Sequence, residues 1–382
     1  MSRKTEAMHL DNLAILNFKN YRQVNMQFSR HVNCFVGHNG AGKTNLLDAI
    51  HYLSFCKSYF NSFDNQNIFH AEDMFVIQGQ FHKSDETEEI YCAQKRNDRK
   101  LFKRNKKDYG RLSEHIGLLP VVMISPTDIE LIHEGSEVRR RFVDSILSQI
   151  DSAYLGNLIE YNKALLQRNA MLKRFFETRQ WDDTLMAIWD EQLIEKGKEI
   201  FRKRNEFTKS FTGIFEKVYS EISGSREIAN LIYSSQVAEG DYAELFAKAI
   251  DKDRAVSYTT TGVHKDDWAF LKDGHPLKKF ASQGQQKSFI IALKIAQFHF
   301  LKKHFSFSPI VLLDDIFDKL DEDRVSYLIN MVTGKDFEQV FITDTSHTRM
   351  KHLLEKKGKD YKIFPISEGA LDEVAEPKLV QQ

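Results

Sequence analysis

The segment Gly37-His38-Asn39-Gly40-Ala41-Gly42-Lys43-Thr44 has residue types and spacing that do recognisable chemistry. Its pattern, G-x-x-x-x-G-K-[ST], is the Walker A phosphate loop. Glycines let the backbone curl so that its N–H groups turn toward a phosphate chain. Lys43 brings a point charge to the β- and γ-phosphates, and Thr44 offers a hydroxyl to Mg²⁺. The helix that follows directs its positive end at the anion. Gly37 to Thr44 are therefore assigned to binding ATP. A second constellation is Ile310-Val311-Leu312-Leu313-Asp314-Asp315, an apolar strand that ends in carboxylates, which is the Walker B arrangement. Asp314 is expected to hold Mg²⁺, directly or through water. Asp315 stands where a general base polarises the attacking water, which makes it, with Lys43, the expected catalytic pair.

Ser282-Gln283-Gly284-Gln285-Gln286-Lys287 precedes the helix that leads into the Walker B strand. It resembles the ABC signature, in which a helix N-terminus binds the γ-phosphate held by the other subunit. Ser282, Gly284 and Gln285 are the contacts that this implies. A plain helix cap by Ser282 is the alternative. Asp318-Lys319-Leu320-Asp321 resembles the ABC D-loop, which puts Asp318 and Asp321 at a dimer interface. Together these imply that neither subunit has a complete site, that ATP joins two copies as a homodimer, and that hydrolysis parts them.

These motifs need elements to hold them. Ile15, Leu16 and Phe18 suggest one strand, and Val24, Met26 and Phe28 another. Val32–Val36 reads as a buried strand running into the glycine loop. A helix follows from Asn45 to Phe55, with Leu46, Leu47, Ile50 and Leu53 on one face. Met74–Phe81, Glu89–Gln94 and Pro120–Ile124 are further strands. From about Ser136 to Ser223 prolines vanish and apolar spacing becomes helical. After about Ser257 α/β character returns, with an amphipathic helix at Phe289–Phe300 and buried strands at Ile310–Leu313 and Val340–Thr343. The expected architecture is an α/β P-loop ATPase head with an inserted all-helical lobe. Residues 1–130 and 256–368 form the head, 131–255 the lobe, and 369–382 a flexible tail.

The whole composition suits a globular protein: 382 residues, 42% hydrophobic and 28% charged, with zero formal net charge. A uniformly basic coat for nucleic acid is excluded, so any DNA contact must use a local patch. Cys34, Cys56 and Cys92 have neither metal nor disulfide spacing. No apolar run reaches the roughly 18 residues of a membrane span, and no targeting segment is visible. The expected location is cytoplasmic, away from membranes.

The flank Gly40 to Ile50, Asn17-Phe18-Lys19-Asn20-Tyr21, Ser125-Pro126-Thr127-Asp128-Ile129-Glu130 and Arg139-Arg140-Arg141-Phe142-Val143-Asp144 resemble the RecF family of bacterial DNA-repair ATPases. So do Tyr161-Asn162-Lys163-Ala164-Leu165, Gln167-Arg168-Asn169, His264-Lys265-Asp266-Asp267 and Phe280 to Lys287. The matches span nearly the whole chain in order. The resemblance implies an SMC-like ATPase head and ATP-dependent dimerisation. It also implies binding of double-stranded DNA at gaps or junctions, and help in loading recombinase with RecR and RecO. It places Lys19 and Asn20 near the nucleotide. Asp315 stands where many ABC enzymes carry glutamate, and the shorter arm predicts slow turnover. No Q-loop glutamine is found where Ser125 to Asp128 stand. Asp344, Thr345 and His347 are all open as the switch-loop residue. His264 reads as structural.

The basic stretch from Lys95 to Arg111, with Lys100, Lys103, Arg104, Lys106 and Lys107 at its centre, is the leading DNA candidate. A solvated hairpin with charged faces is the other reading. Lys173, Arg174, Arg202, Lys203 and Arg204 are weaker candidates. A transporter subunit would carry a leucine-first signature and no basic hairpin. A nuclease would need an acidic metal cluster outside the ATP site, and the sequence shows none. A scaffold that binds ATP without turnover remains the third alternative.

Overall fold

Buried and half-buried residues alternate along Glu86–Lys95, whereas every residue of Val32–Val36, Val121–Ile124 and Ile310–Leu313 is buried. The first pattern suits a sheet with one solvated face, the second a parallel sheet covered on both faces. The computed structural model contains both. It describes residues 8–83, 86–178, 180–305, 307–317, 328–331, 333–334, 336–355 and 360–372. The chain divides into two compact units, Met1–Asp128 with Gln297–Gln382, and Ile129–Ala296.

In the first unit, β1 (Met8–Phe18), β2 (Tyr21–Gln27), β4 (Met74–Lys83), β5 (Glu86–Lys95), β6 (Leu101–Arg104) and β7 (Lys107–Asp108) form an antiparallel sheet. Its order is β2-β1-β4-β5-β6-β7. The second sheet runs β3 (Val32–Val36), β8 (Val121–Ile124), β12 (Ile310–Leu313), β13 (Val340–Asp344) and β14 (Tyr361–Ser367) in parallel. The antiparallel β15 (Ala370–Leu371) closes one edge, giving β15-β14-β3-β13-β12-β8. Helix α1 (Lys43–Phe55) packs against strands of both sheets. Leu46, Leu47, Ile50 and Leu53 lie in the core, but so do Ala49 and Tyr52, because apolar surface flanks the helix on more than one side.

The second unit is built on α2 (Glu130–His133), α3 (Ser136–Ile150), α4 (Ser152–Thr178), α5 (Asp183–Ser223) and α6 (Tyr242–Val256), then α7 (Leu277–Phe280) and the start of α8 (Gln283–His304). The α5 helix begins where the Asp182 carboxylate accepts from the N–H groups of Thr184 and Leu185, and ends at left-handed Gly224. The unit also holds a sheet, β11-β10-β9, made of β9 (Ala229–Ser234), β10 (Asp267–Lys272) and β11 (His275–Pro276). This corrects the expectation of an all-helical lobe ending at residue 255. Six residues of β9 pair with six of β10, from Asp267↔Ser234 to Lys272↔Ala229. That ladder keeps His264 to Asp267 and Ser282 to Lys287 in the second unit. Two short strands that distant in sequence carry no local signal of their pairing. Nor is α8 amphipathic: from Ser288 to Leu301 every residue except His299 is buried, Lys294 and Gln297 included.

The family-like stretches of this unit meet in two buried ion networks. Arg204 is 2% exposed and donates to Asp144 at 2.9 Å, to Asp266 at 2.8 Å and to the Val263 carbonyl at 2.7 Å. Tyr233 donates to Asp266 at 2.6 Å. Arg168 is wholly buried and reaches Asp190 at 2.5 Å, Asp253 at 2.6 Å and Thr259 at 2.9 Å. The side-chain amide oxygen of Asn169 accepts from the N–H and the hydroxyl of Thr259. His264 lies between the Tyr161 hydroxyl at 2.8 Å and the Thr259 carbonyl at 3.0 Å. Burial lowers its pKa to about 4. It is a neutral structural histidine. Breaking one partner of such a network strands charge away from water. Arg204→Met is expected to destabilise the second unit by about 3–5 kcal/mol in urea unfolding. A shift below about 0.5 kcal/mol would show that Asp144 and Asp266 do not depend on it.

Candidate functional site

The phosphate loop leaves β3 at Gly37 and enters α1 at Lys43. Gly37 donates its N–H to the Asp344 carbonyl at 3.2 Å, which fastens the loop to β13. A Cβ at Gly37 would lie 2.2 Å from the Ile366 carbonyl oxygen, so only glycine fits there. Gly42 has φ +113°, and a Cβ on it would come within 2.5 Å of the Asn20 amide. His38, Asn39 and Gly40 are exposed, Ala41 is buried, and Gly40 has φ +81°. The Lys43 ammonium is held by the carbonyls of Gly37 at 2.8 Å and His38 at 2.9 Å. The first amides of α1 lack acceptors within the helix, as at any helix start.

The turn between β1 and β2 braces this loop. Asn20 donates to the Ala41 carbonyl at 3.1 Å and accepts from Asn45 at 2.7 Å, and Tyr21 donates to the Gly42 carbonyl at 3.2 Å. Asn20 thus touches the phosphate loop directly. Lys19 does not. Its φ is +54°, and its ammonium pairs with buried Asp48 on α1 at 2.6 Å. Lys19 braces the helix here, because a buried carboxylate captures its cation.

Asp314 follows β12 and is 5% exposed. Thr44 donates to one oxygen at 2.8 Å and Thr343 to the same oxygen at 2.9 Å; Ser125 faces the other at 3.5 Å. Burial pushes the Asp314 carboxyl above the usual range. The Thr44 and Thr343 hydroxyls pull against that shift, Asp315 adds to it, and Lys43 opposes it. Asp315 has φ +47° and donates its N–H to the Thr343 hydroxyl at 2.9 Å. Thr343 therefore holds both Walker B residues, one through each side of its hydroxyl. From sequence, Ser125 stands only in a family-like stretch and Thr343 only at a strand end, with no role at the site. Both stand at the carboxyl ends of parallel strands flanking β12, where such sheets gather ligands. A polar residue closing an apolar strand was the available signal. Of the switch-loop candidates, Asp344 accepts from Arg349 at 2.5 Å and from the Ser346 N–H at 2.6 Å. These contacts tie it to the start of α9 (His347–Glu355).

In the second unit, Ser282 and Gln285 form a reciprocal cap on α8. The Ser282 N–H donates to the Gln285 side chain at 2.8 Å, and the Gln285 N–H donates to the Ser282 hydroxyl at 3.3 Å. Gln285 also donates to Glu227 at 2.7 Å. Ser282 and Gln283 are exposed and Gly284 half-buried. The capping role is thus present, on a helix start that faces solvent. Asp318 and Asp321 lie outside the described residues.

The basic stretch forms a hairpin whose two-residue turn, Asn105-Lys106, has both residues at positive φ. Lys100 is removed from the DNA candidates. It pairs with Asp64 at 2.9 Å, donates to the Cys56 carbonyl at 2.5 Å, and is 11% exposed. Arg104 is committed to buried Glu88, whose carboxyl it holds below the usual range, and Lys103 pairs with Asp108 at 3.4 Å. Lys106 and Lys107 are exposed and form no ion pair among the described residues. Arg204 is buried, Arg202 pairs with Glu199 and Glu206, and Lys203 with Asp151, whereas Lys173 and Arg174 are exposed. Among the described residues, no helix is long and apolar enough to cross a membrane.

Thr343 gives a sharp test of the site. Thr343→Val keeps the shape and removes both hydrogen bonds. Triphosphate affinity is expected to change less than about threefold, while the hydrolysis rate at saturation falls roughly tenfold or more, as for loss of a hydrogen bond to a charged group. Thr343→Ser should restore most of it. Equal losses from Val and Ser would remove the hydroxyl from the argument.

The family description RecF/RecN/SMC N-terminal domain matches residues 9–368. A Flavobacterium johnsoniae protein named DNA replication and repair protein RecF is 50% identical over 357 residues, covering 94% of this chain and 99% of its own. A solved structure of the recombination mediator protein RecF with ATP aligns with a TM-score of 0.88 at 29% identity, over 98% of this chain and 100% of that one. An Smc head domain from Pyrococcus furiosus, with an extended coiled coil, aligns at 0.56 with 16% identity over 97% and 96%, a likeness of fold alone. The phosphate loop, the caged Walker B carboxylate and a match along nearly the whole of both chains agree: this chain belongs to the RecF family.

Proposed function

We propose that the chain is an ATP-switched DNA-binding protein of recombinational repair. The observation that carries this reading is the cage around Asp314: a buried carboxylate that meets the phosphate-loop hydroxyl of Thr44 at 2.8 Å, with Asp315 held beside it by Thr343. An oxygen-only donor set at the mouth of a phosphate loop suits Mg²⁺. Thr44 and Asp314 would hold the ion, which supplies charge neutralisation on the phosphates. Gly37 to Thr44 cradle the triphosphate, Lys43 exchanges its loop carbonyls for phosphate oxygens, and Asp315 polarises the attacking water. Its short arm makes turnover slow. Asn20 fixes the loop from outside.

Ser282, Gly284 and Gln285 complete the site of a second copy. The exposed, capped start of α8 is ready to receive an anion there. ATP then joins two protomers, and hydrolysis releases them. The solved RecF relative with ATP is described as a recombination mediator in the RecFOR pathway. By that kinship the partners are RecR with RecO, and the substrate is duplex DNA beside a gap or junction. The hairpin lysines Lys106 and Lys107 supply phosphate contacts without sequence information.

Three measurements test this. ATP hydrolysis per protomer should rise with protein concentration and rise further with duplex DNA. Mixing Asp315→Asn with Ser282→Arg protomers should restore activity that neither has alone; no restoration would reject the shared site. A Lys106→Ala, Lys107→Ala double variant should weaken duplex binding and lower the salt slope by about two. An unchanged slope would move the DNA interface elsewhere.

A further inference from the structure

His9, Asp11 and His82 bring two imidazoles and one carboxylate together on the β1–β4 pair. One ring nitrogen of each histidine and a carboxylate oxygen of Asp11 all lie within 4.8 Å of one another, the one such group among the described residues. His9 and His82 are direct cross-strand partners. A bulge between Leu10 and Asn12 adds Asp11 to β1 as an extra residue. The Nε2 of His82 lies 4.0 Å from the Asp11 carboxylate, and the two imidazole rings stack with centroids 5.1 Å apart.

His9 is 8% exposed, and its Nε2 is buried with no hydrogen-bond partner among the described residues. Leaving such a group unsatisfied is costly in a native core, so a ligand that engages it is favoured. His82 has its Nδ1 beside the Thr87 hydroxyl at 3.3 Å, which leaves Nε2 as its outward donor. A metal-bound imidazole is normally oriented in this way. The backbone beneath is held on both sides. Gln339 accepts from the Leu10 N–H and donates to the Leu10 carbonyl, both at 2.8 Å, and the Asp11 carbonyl accepts from Phe28 at 2.8 Å.

We infer that His9, Asp11 and His82 bind a borderline divalent transition metal, Zn²⁺ in the first instance, that pins β1 to β4. Two nitrogens and one carboxylate oxygen are a zinc donor set, with water in the fourth place, whereas Mg²⁺ prefers oxygen alone. Tetrahedral zinc with bonds of about 2.0–2.1 Å brings ligand atoms to about 3.4 Å, so separations of up to 4.8 Å must shorten by as much as about 1.4 Å. The side chains of His82 and Asp11 are 35% and 32% exposed and have room to rotate. The site shares no residue with the Thr44–Asp314 cage.

The test uses untagged, full-length, chelator-stripped protein without nucleotide. Co²⁺ is titrated while the visible absorption of tetrahedral cobalt is followed, and Zn²⁺ is then added in competition. One equivalent should bind and be displaced by zinc. His82→Ala and Asp11→Asn, both at partly exposed positions, should each weaken zinc binding at least tenfold. Asp314→Asn should leave it unchanged. Zinc should raise the thermal midpoint of the parent chain but not of His82→Ala. Zinc affinity of His82→Ala within twofold of the parent, or loss of binding in Asp314→Asn, overturns the proposal.

Discussion

A carboxylate taken out of water must be paired or it will not stay charged. Asp314 is buried at the ends of β8, β12 and β13, and its neighbours are arranged to satisfy it. Thr44 comes from α1, Ser125 from the end of β8 and Thr343 from β13. Each of those hydroxyls is in place only if its strand or helix is in register. The need to solvate one carboxylate with protein oxygens therefore ties the phosphate loop, the Walker B strand and the strand between β3 and β12 into one arrangement. Thr343 extends that arrangement to Asp315 through a backbone N–H, so the residue expected to act on water is placed by the same hydroxyl that steadies the carboxylate expected to hold Mg²⁺.

The second unit solves a similar problem with the opposite sign. Arg168 and Arg204 are buried guanidiniums, and carboxylates from separate helices and loops converge on them. Such networks are weak arguments for stability on their own, but they are intolerant of losing one member. The stretches that resemble the family here are thus mainly architectural: Arg168 and Asn169, Asp144, and Asp266 meet one another or one another's partners. The signature segment differs. Ser282 and Gln285 satisfy each other at an exposed helix start, which costs nothing to keep open to solvent.

Charge bookkeeping decides how the basic stretch is read. With zero net charge, cations survive as a DNA surface only where no carboxylate is near. Lys100 and Arg104 fail that criterion, because Asp64 and Glu88, well separated from them in the chain, pair with them. Lys106 and Lys107 meet it at the hairpin turn, where they are exposed and form no ion pair among the described residues.

What could be read from the residues was what is local. The strand–glycine loop–helix unit, the apolar strand ending in Asp314 and Asp315, and the helical spacing of α3 to α5 depend on the backbone preferences of neighbouring residues. The likeness of eight short stretches to one family was legible for the same reason. Tertiary structure alone decided that Lys19 serves Asp48, that Ser125 and Thr343 serve Asp314, that β9 pairs with β10, and that His9, Asp11 and His82 converge. Each of these joins residues far apart in the chain, and the register of a ladder or the burial of a charge sets the partner. No sequence period encodes that choice, because hydrogen-bond and ion pairing are selected by proximity in space after the local elements have formed.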